Sequence, residues 1–154
     1  MLAPPSGASF IAALMGADKD KWPLSSDAGY GFVTPLSELF ANKKAGKAVL
    51  NVPKGGHVLH PRTITSLKVY LIAMLSIEGR QFVFPVSELP EMARGKCNKM
   101  MSIPSAKVLD RSEYMMDVQV LGPEDTLVIY SGKRHLGLKP ADLQHYLGER
   151  GRRG

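Results

Sequence analysis

The sequence repeats one motif three times, at intervals of about fifty residues. In each copy a turn glycine precedes a proline, then an acidic residue and a leucine, and then a basic loop that contains glycine. The turn glycines are Gly29, Gly79 and Gly132, the prolines are Pro35, Pro85 and Pro140, and the acid–leucine pairs are Glu38-Leu39, Glu88-Leu89 and Asp142-Leu143. A repeat of this length made of short strands is typical of propeller-like arrays, whose units bury their faces only against neighbours.

Short apolar segments between turns predict an all-β chain. Fifteen glycines and eleven prolines favour many turns over long helices. Strands are expected at 10–15, 22–25, 32–36, 48–50, 69–76, 81–86, 100–103, 114–121, 126–130 and 134–139. A short helical turn is expected before Leu39, and a short helix at 140–147 with Pro140 in its first turn. Because proline cannot donate to a β-ladder, Pro35 predicts that its strand is not a central one.

The repeats predict a linker at 1–9 followed by about three propeller units. Their expected bounds are 10–65, 66–124 and 125–154, the last unit being incomplete. A closed propeller needs at least four blades, so we expect a fragment of a longer protein or an open array. Exposed strand edges would then favour an edge-paired dimer.

The charge of the chain favours a polyanionic partner. Its 20 lysines and arginines exceed its 14 acidic residues, which gives a net charge of +6 and a pI near 9.5. Nucleic acid is the first expectation and an anionic membrane surface the second; a basic protein with no such partner is the alternative. The single cysteine, Cys97, excludes an internal disulfide and suits a reducing compartment, and the sequence lacks a secretory signal. We therefore expect a cytoplasmic location.

Catalytic and metal motifs are not found in the sequence. There is no phosphate-binding GxxxxGK[ST] loop, no GxSxG elbow and no paired cysteine and histidine. His57 and His60 are interpreted as loop residues and not as metal ligands. Trp22 is predicted to pack in the core, as are four methionines: Met100, Met101, Met115 and Met116. No catalytic residue or metal site is predicted, and whether the chain belongs to an enzyme stays open.

The basic loops of the three repeats are the candidate binding site. They carry Lys43, Lys44 and Lys47; Arg94, Lys96 and Lys99; and Arg150, Arg152 and Arg153, with Arg80, Lys133 and Arg134 near hairpin turns as weaker candidates. Equivalent loops of an array would form a band of positive charge that contacts phosphates without reading bases, while glycines let backbone N–H groups approach. A curved band would also bend a duplex. The alternative is that these loops only keep the protein soluble.

Four segments carry a resemblance to a known family: SDAGYGFV, NKKAGKAVLNVP, FPVSELPEMARGKCNKMMSIPSA and GERGRRG. They resemble the C-terminal DNA-wrapping domain of the A subunits of bacterial type IIA topoisomerases, and within that family the topoisomerase IV branch. The resemblance implies a β-pinwheel, a propeller variant with four-stranded antiparallel blades that exchange strands. About half of the usual blades would be present.

The resemblance also implies a function. The domain would bind and bend double-stranded DNA and steer DNA crossings for decatenation and supercoil relaxation by the parent, an ATP-dependent type II topoisomerase that forms a heterotetramer with its B subunit. Mg²⁺ and ATP would belong to the parent, with ATP on the B subunit, and this chain would hold no cofactor. A cytoplasmic, nucleoid-associated protein is implied, with peripheral membrane association in some of the family. The alternative function is a protein-interaction propeller that docks a chromosome-condensation partner.

The basic loops depart from the pattern of the gyrase relatives. Those relatives carry an intact QRRGGKG box, whereas this sequence has KKAGKA at 43–48, ARGKCN at 93–98 and ERGRRG at 149–154. The departure favours guiding DNA over winding it tightly. The DNA-cleaving tyrosine of the family would lie in another domain, so none of the tyrosines here is assigned that role: Tyr30, Tyr70, Tyr114, Tyr130 and Tyr146.

Overall fold

Three β-hairpins, one in each repeat, form the framework of the chain. The computed structural model describes residues 4, 6–43, 45–64, 70–94 and 98–151. Its hairpins are β1 (Lys21–Ser26) with β2 (Tyr30–Pro35), β3 (Leu71–Ser76) with β4 (Gln81–Pro85), and β7 (Leu127–Ser131) with β8 (Arg134–Leu138). The remaining described strands are β5 (Asn98–Lys99) and β6 (Met115–Leu121), and the helices are α1 (Ser105–Leu109), α2 (Pro140–Leu143) and 3-10 turns at Leu36–Leu39, Val86–Glu88 and Gln144–Tyr146. The predicted all-β class with short helical turns is confirmed.

The repeated glycines and prolines occupy the positions that the motif predicts. The φ angles are 84° at Gly29, 78° at Gly79 and 58° at Gly132. A residue that has a side chain adopts such positive angles only with strain. Pro35 and Pro85 directly precede 3-10 turns, and Pro140 is the first residue of α2. Proline suits the start of a helix because its fixed φ is helical and its missing N–H would have no partner there.

The strand β2 lies in the middle of its sheet, so the expectation drawn from Pro35 was wrong. The strand order is β1-β2-β5 in this sheet and β4-β3-β6 in the second, while β7 pairs with β8. Pro35 is the last residue of β2 and lies opposite Lys21. The second neighbour, β5, pairs only at the other end of the strand, with Tyr30 and Gly31. The missing N–H of Pro35 therefore removes no bond from that ladder.

Each of the first two hairpins is joined by a segment from the following repeat. Val33 of β2 bridges Glu91 in parallel, with Val33 N–H donating to the Pro90 carbonyl at 3.0 Å and Met92 N–H to the Val33 carbonyl at 2.8 Å. Val83, fifty residues after Val33, bridges Leu147 in parallel in the same way. On the opposite side β1 bridges Val58 and Ile64, and β3 pairs with β6. Each of these two hairpins thus has four rows of backbone, the outer one exchanged, as a pinwheel implies.

Three expected strands differ from the structure. Residues 10–15 form no strand and leave Phe10 and Met15 exposed, because no described strand lies beside them. Residues 48–50 contribute a single bridge residue, Leu50, and 100–103 form a buried loop. In that loop the N–H groups of Met100 and Met101 donate to the Gly29 carbonyl, at 2.8 and 3.2 Å, so no ladder forms. The helix α1 was not predicted.

The core lies mainly between the first and second hairpins. It contains Ile72, Met74, Phe84, Met100 and Met115, all essentially inaccessible to solvent. Trp22 packs in a second cluster with Leu24, Phe32 and Leu36, as predicted. The prediction for Met116 was wrong, since 55% of it is exposed. Side chains alternate along β6, so the inward direction of Met115 turns Met116 outward.

Candidate nucleic-acid interface

The basic loops of the second and third repeats meet on the surface. Arg150 donates from Nη1 to the carbonyl oxygen of Lys99 at 2.7 Å, and Gly151 N–H donates to the carbonyl of Met100 at 2.9 Å. The backbone N–H of Arg150 also donates to Glu88 Oε2 at 3.0 Å. Because Lys99 belongs to β5, which pairs with β2, this junction connects the first hairpin to the second.

Five of the predicted site residues point into solvent. Their side chains are exposed and form no ion pair with another described residue: Lys43, Arg94, Lys99, Lys133 and Arg134. Such cations keep their hydration and their donors available, so a phosphate can bind them without breaking an internal contact. The structure brings Lys99 close to Arg150, and Lys133 directly precedes Arg134 in the turn of the third hairpin.

Three other predicted residues are held by the protein itself. Lys47 donates from Nζ to the carbonyl of Glu38 at 2.6 Å and lies 3.4 Å from the Glu38 carboxylate. Arg80 pairs with Glu78 at 3.0 Å and approaches the buried Glu113 at 3.6 Å. Arg150 is half-buried at the junction with Lys99. These contacts compete with any external anion. Four more predicted residues lie outside the described residues: Lys44, Lys96, Arg152 and Arg153.

The two loop glycines that the structure describes, Gly46 and Gly151, shape the loops instead of offering free donors. Gly46 and Gly151 have φ angles of 79° and 87°. Their N–H groups already donate inside the protein, that of Gly46 to the Lys43 carbonyl at 2.9 Å and that of Gly151 to Met100. The side chains therefore carry the positive charge that an anion would meet. This differs from the expectation that glycine N–H groups would approach phosphates.

The third hairpin adds aromatic groups beside its cations. Tyr130 is 75% exposed, and its ring lies 6.0 Å from the ring of His135 on the opposite strand. Lys133 occupies a two-residue turn between Ser131 and Arg134. Sequence analysis ranked Lys133 and Arg134 below the loop residues together with Arg80. The structure distinguishes them, since Arg80 is paired with Glu78 whereas Lys133 and Arg134 form no ion pair with any residue in the described ranges.

Charged groups that sequence analysis missed lie near the hairpin turns. Lys107 donates to Glu113 at 2.9 Å and to Glu78 at 3.3 Å, and these hydrogen bonds, Glu113 first, raise the pKa of Lys107 above its ordinary 10.5. The hydrogen bonds from Ser112 lower the pKa of Asp110 below its ordinary 3.8. The bond from Lys107 to Glu78 follows no local pattern, because Glu78 lies in the turn of the second hairpin.

Within the described residues no three histidine, cysteine or acidic side chains gather where they could hold a metal ion. His57 instead lies 3.3 Å from Asp27, measured from Nδ1 to Oδ2, and His60 is exposed. Among the helices in the described ranges, none combines the length and apolar character needed to cross a membrane.

Comparisons with known proteins agree with this architecture. The family model described as DNA gyrase C-terminal domain, beta-propeller, matches residues 24–65 and 72–104. The A subunit of DNA topoisomerase 4 from Pseudomonas aeruginosa is 47% identical over 153 residues, which cover 99% of this chain and 20% of that protein. The corresponding protein of Escherichia coli K12 is 43% identical over 150 residues, 97% of this chain and 20% of that protein. The chain thus spans about a fifth of the length of these relatives.

Solved structures give the same result. The C-terminal domain of E. coli ParC matches with a TM-score of 0.92 and 42% identity, over 99% of this chain and 62% of that one. The C-terminal domain of DNA gyrase A matches with a TM-score of 0.67 at 16% identity, over 90% of this chain and 43% of that one, which shows the fold alone. With its hairpin repeats and exchanged outer rows, the chain belongs to the family of C-terminal β-pinwheel domains of the topoisomerase IV A subunits, which is related to that of gyrase A.

Proposed function

We propose that this chain binds double-stranded DNA through its phosphates, without sequence preference, along a band of exposed basic side chains. The observation that carries the proposal is the junction at which Arg150 meets Lys99. Strand exchange there gathers basic loops from two repeats that are far apart in the sequence. A net charge of +6 adds a long-range attraction for a polyanion.

The proposed contacts follow from which cations are available. Within the described residues they are Lys43, Arg94, Lys99, Lys133 and Arg134, to which the sequence adds Lys44, Lys96, Arg152 and Arg153. Lys47 and Arg150 would hold the loops in position as well as contribute charge, and Arg80 would contribute least. We propose that the chain divides into three units at 10–65, 66–124 and 125–154, and each unit supplies part of the band.

Lysine and arginine contacts to phosphate carry no sequence information, and the described helices are too short to read a groove. The longest, α1, has five residues. We therefore expect the domain to position and bend DNA in a sequence-independent manner. In a parent topoisomerase IV that assembles with its B subunit and uses Mg²⁺ and ATP, this bending would steer the crossings that the enzyme resolves during decatenation and relaxation. Association with the nucleoid would follow.

A gel-shift titration on supercoiled DNA and on linear duplexes of unrelated sequence tests the proposal. We expect binding to all of them, with affinities for the linear duplexes within a factor of about three. A preference above about tenfold, which equals 1.4 kcal/mol, would contradict sequence-independent binding. No binding at physiological salt would overturn the proposal and favour the alternative of a protein-docking propeller.

A further inference from the structure

One buried carboxylate sits where the first hairpin meets the second sheet. Asp27, in the turn of the first hairpin, has a side chain that is only 4% exposed. It accepts a hydrogen bond from Arg111 Nη1 at 2.6 Å and one from the backbone N–H of His57 at 2.7 Å. A buried carboxylate needs such partners, because the removal of a partner leaves its charge buried and uncompensated.

Arg111 is held in an uncommon conformation. Its φ of 62° makes it the one described residue other than glycine in the left-handed region. Its guanidinium lies 3.8 Å from the centre of the Tyr114 ring and also donates to the Gly55 carbonyl at 3.3 Å. Backbone strain of this kind persists only where surrounding contacts determine it, and Arg111 has such contacts on several sides.

The segment that carries Arg111 connects the turns of two hairpins. Towards the first, Met115 N–H donates to the Asp27 carbonyl at 2.7 Å. Towards the second, Ile77 N–H donates to the Tyr114 carbonyl at 3.0 Å, and Lys107 bonds to Glu78 at 3.3 Å. Residues 105–115 therefore connect the turns of the two hairpins, and Arg111 holds this segment against the turn of the first hairpin.

A second ion pair of the first hairpin, with a segment of the second repeat, provides a comparison. Lys21 of the first hairpin pairs with Glu91, whose side chain is 42% exposed. Glu91 lies in the exchanged segment, which backbone bonds to Val33 already hold in place. A solvated pair beside an existing ladder contributes little to geometry.

We infer that Arg111 is a positioning residue whose pairing with Asp27 fixes the angle between the first hairpin and the second sheet, and thereby the curvature of the basic band; the second half of this inference rests on the proposed function. Lys99 is paired to the first hairpin through Tyr30, whereas Arg150 is bonded to Glu88 after the second. A change in the angle would therefore separate or rotate the two basic loops relative to each other.

The angle can be measured without DNA. Ser37 and Ser87 are exposed and occupy equivalent places in the 3-10 turns after the first two hairpins. Spin labels at Ser37→Cys and Ser87→Cys, in a Cys97→Ser background, report the distance between them. We expect Arg111→Gln to shift or broaden the distance distribution, and Lys21→Gln, which also removes one positive charge from an ion pair of the first hairpin, to leave it unchanged. Equal distributions in both variants would overturn the inference.

DNA bending is measured on the same variants by energy transfer between the ends of a labelled duplex at saturating protein. We expect an altered bend with Arg111→Gln and the parental bend with Lys21→Gln. A changed distance with an unchanged bend would overturn the link to curvature, and failure of every variant and the parent to bind would overturn the proposed function alone. Arg111→Lys, which keeps the charge but not the forked guanidinium, replaces Arg111→Gln if circular dichroism shows the latter unfolded.

Discussion

Arg150 donates a hydrogen bond from Nη1 to the carbonyl oxygen of Lys99 at 2.7 Å, although 51 residues separate the two in sequence. The contact exists because the second and third repeats each send a segment back to the preceding hairpin. The third basic loop therefore lies against the second, and the second against the first hairpin. A band of positive charge can form in this way without any one loop being strongly basic.

Lys99→Ala should weaken DNA binding to the same extent on unrelated sequences. Its exposed ammonium group is proposed to contact phosphate, so its loss should also reduce the magnitude of the salt slope by about one. Fluorescence anisotropy at several salt concentrations measures both. Lys19→Ala is the matched control, since Lys19 is exposed and outside the proposed band. An equal loss from both variants would mean that net charge, and not the band, determines binding.

Lys43→Ala should reduce DNA affinity more than Lys47→Ala. The two lysines lie in the same loop, but Lys47 already donates to the Glu38 carbonyl at 2.6 Å and Lys43 has an exposed side chain with no described ion pair. A phosphate must displace an internal bond to reach Lys47. Parallel titrations of the two variants on one duplex test this ranking, and the reverse order would refute the assignment of Lys43 as the contact.

Gly29→Ala should destabilise the fold more than Gly79→Ala. Both glycines have positive φ, near 84° and 78°, so either alanine incurs about 1–2 kcal/mol of backbone strain. At Gly29 the added methyl group would also overlap the carbonyl oxygen of Met101, whereas the space at Gly79 is open. Overpacking of this kind costs about 1–3 kcal/mol more. Urea unfolding measures the difference, and equal losses would show that the buried loop moves freely.

Lys107→Met should reduce the loss of folding stability that the protein shows as the pH rises above about 10. Hydrogen bonds to Glu113 and Glu78 raise the pKa of Lys107 in the folded state above 10.5. Its charged form is thus favoured by folding, so this contribution is complete below pH 10.5 and is lost as the pH rises through the raised value. Melting temperatures between pH 8 and 11.5 should fall less steeply in the variant. Lys133→Met, at an exposed turn, is the control and should follow the parent.

Local conformational rules account for the features that could be predicted from sequence. Hairpins, turn glycines and the prolines before helical turns depend on a few neighbouring residues, and the structure has all of them. The expected strand at 100–103 was wrong because the Gly29 carbonyl captures the N–H groups of Met100 and Met101. Apolar character alone does not reveal such a contact between repeats.

Contacts between distant residues account for the rest. The bridge from Val33 to Glu91 and the pair of Asp27 with Arg111 join residues that no local pattern relates. In the candidate site, the positive charge of the loops followed from the sequence. The approach of Arg80 to Glu113 did not, because it requires knowing how the turn faces α1 and the residues after it.

The salt dependence of DNA binding tests the central claim most directly. If about four to six phosphates are neutralised by the basic band, log Kobs should fall against log salt with a slope of about −4 to −5, and equally on two duplexes of unrelated sequence. The measurement needs only the chain itself, two labelled duplexes and a series of salt concentrations. A slope shallower than about −2 would contradict binding through a band of phosphate contacts.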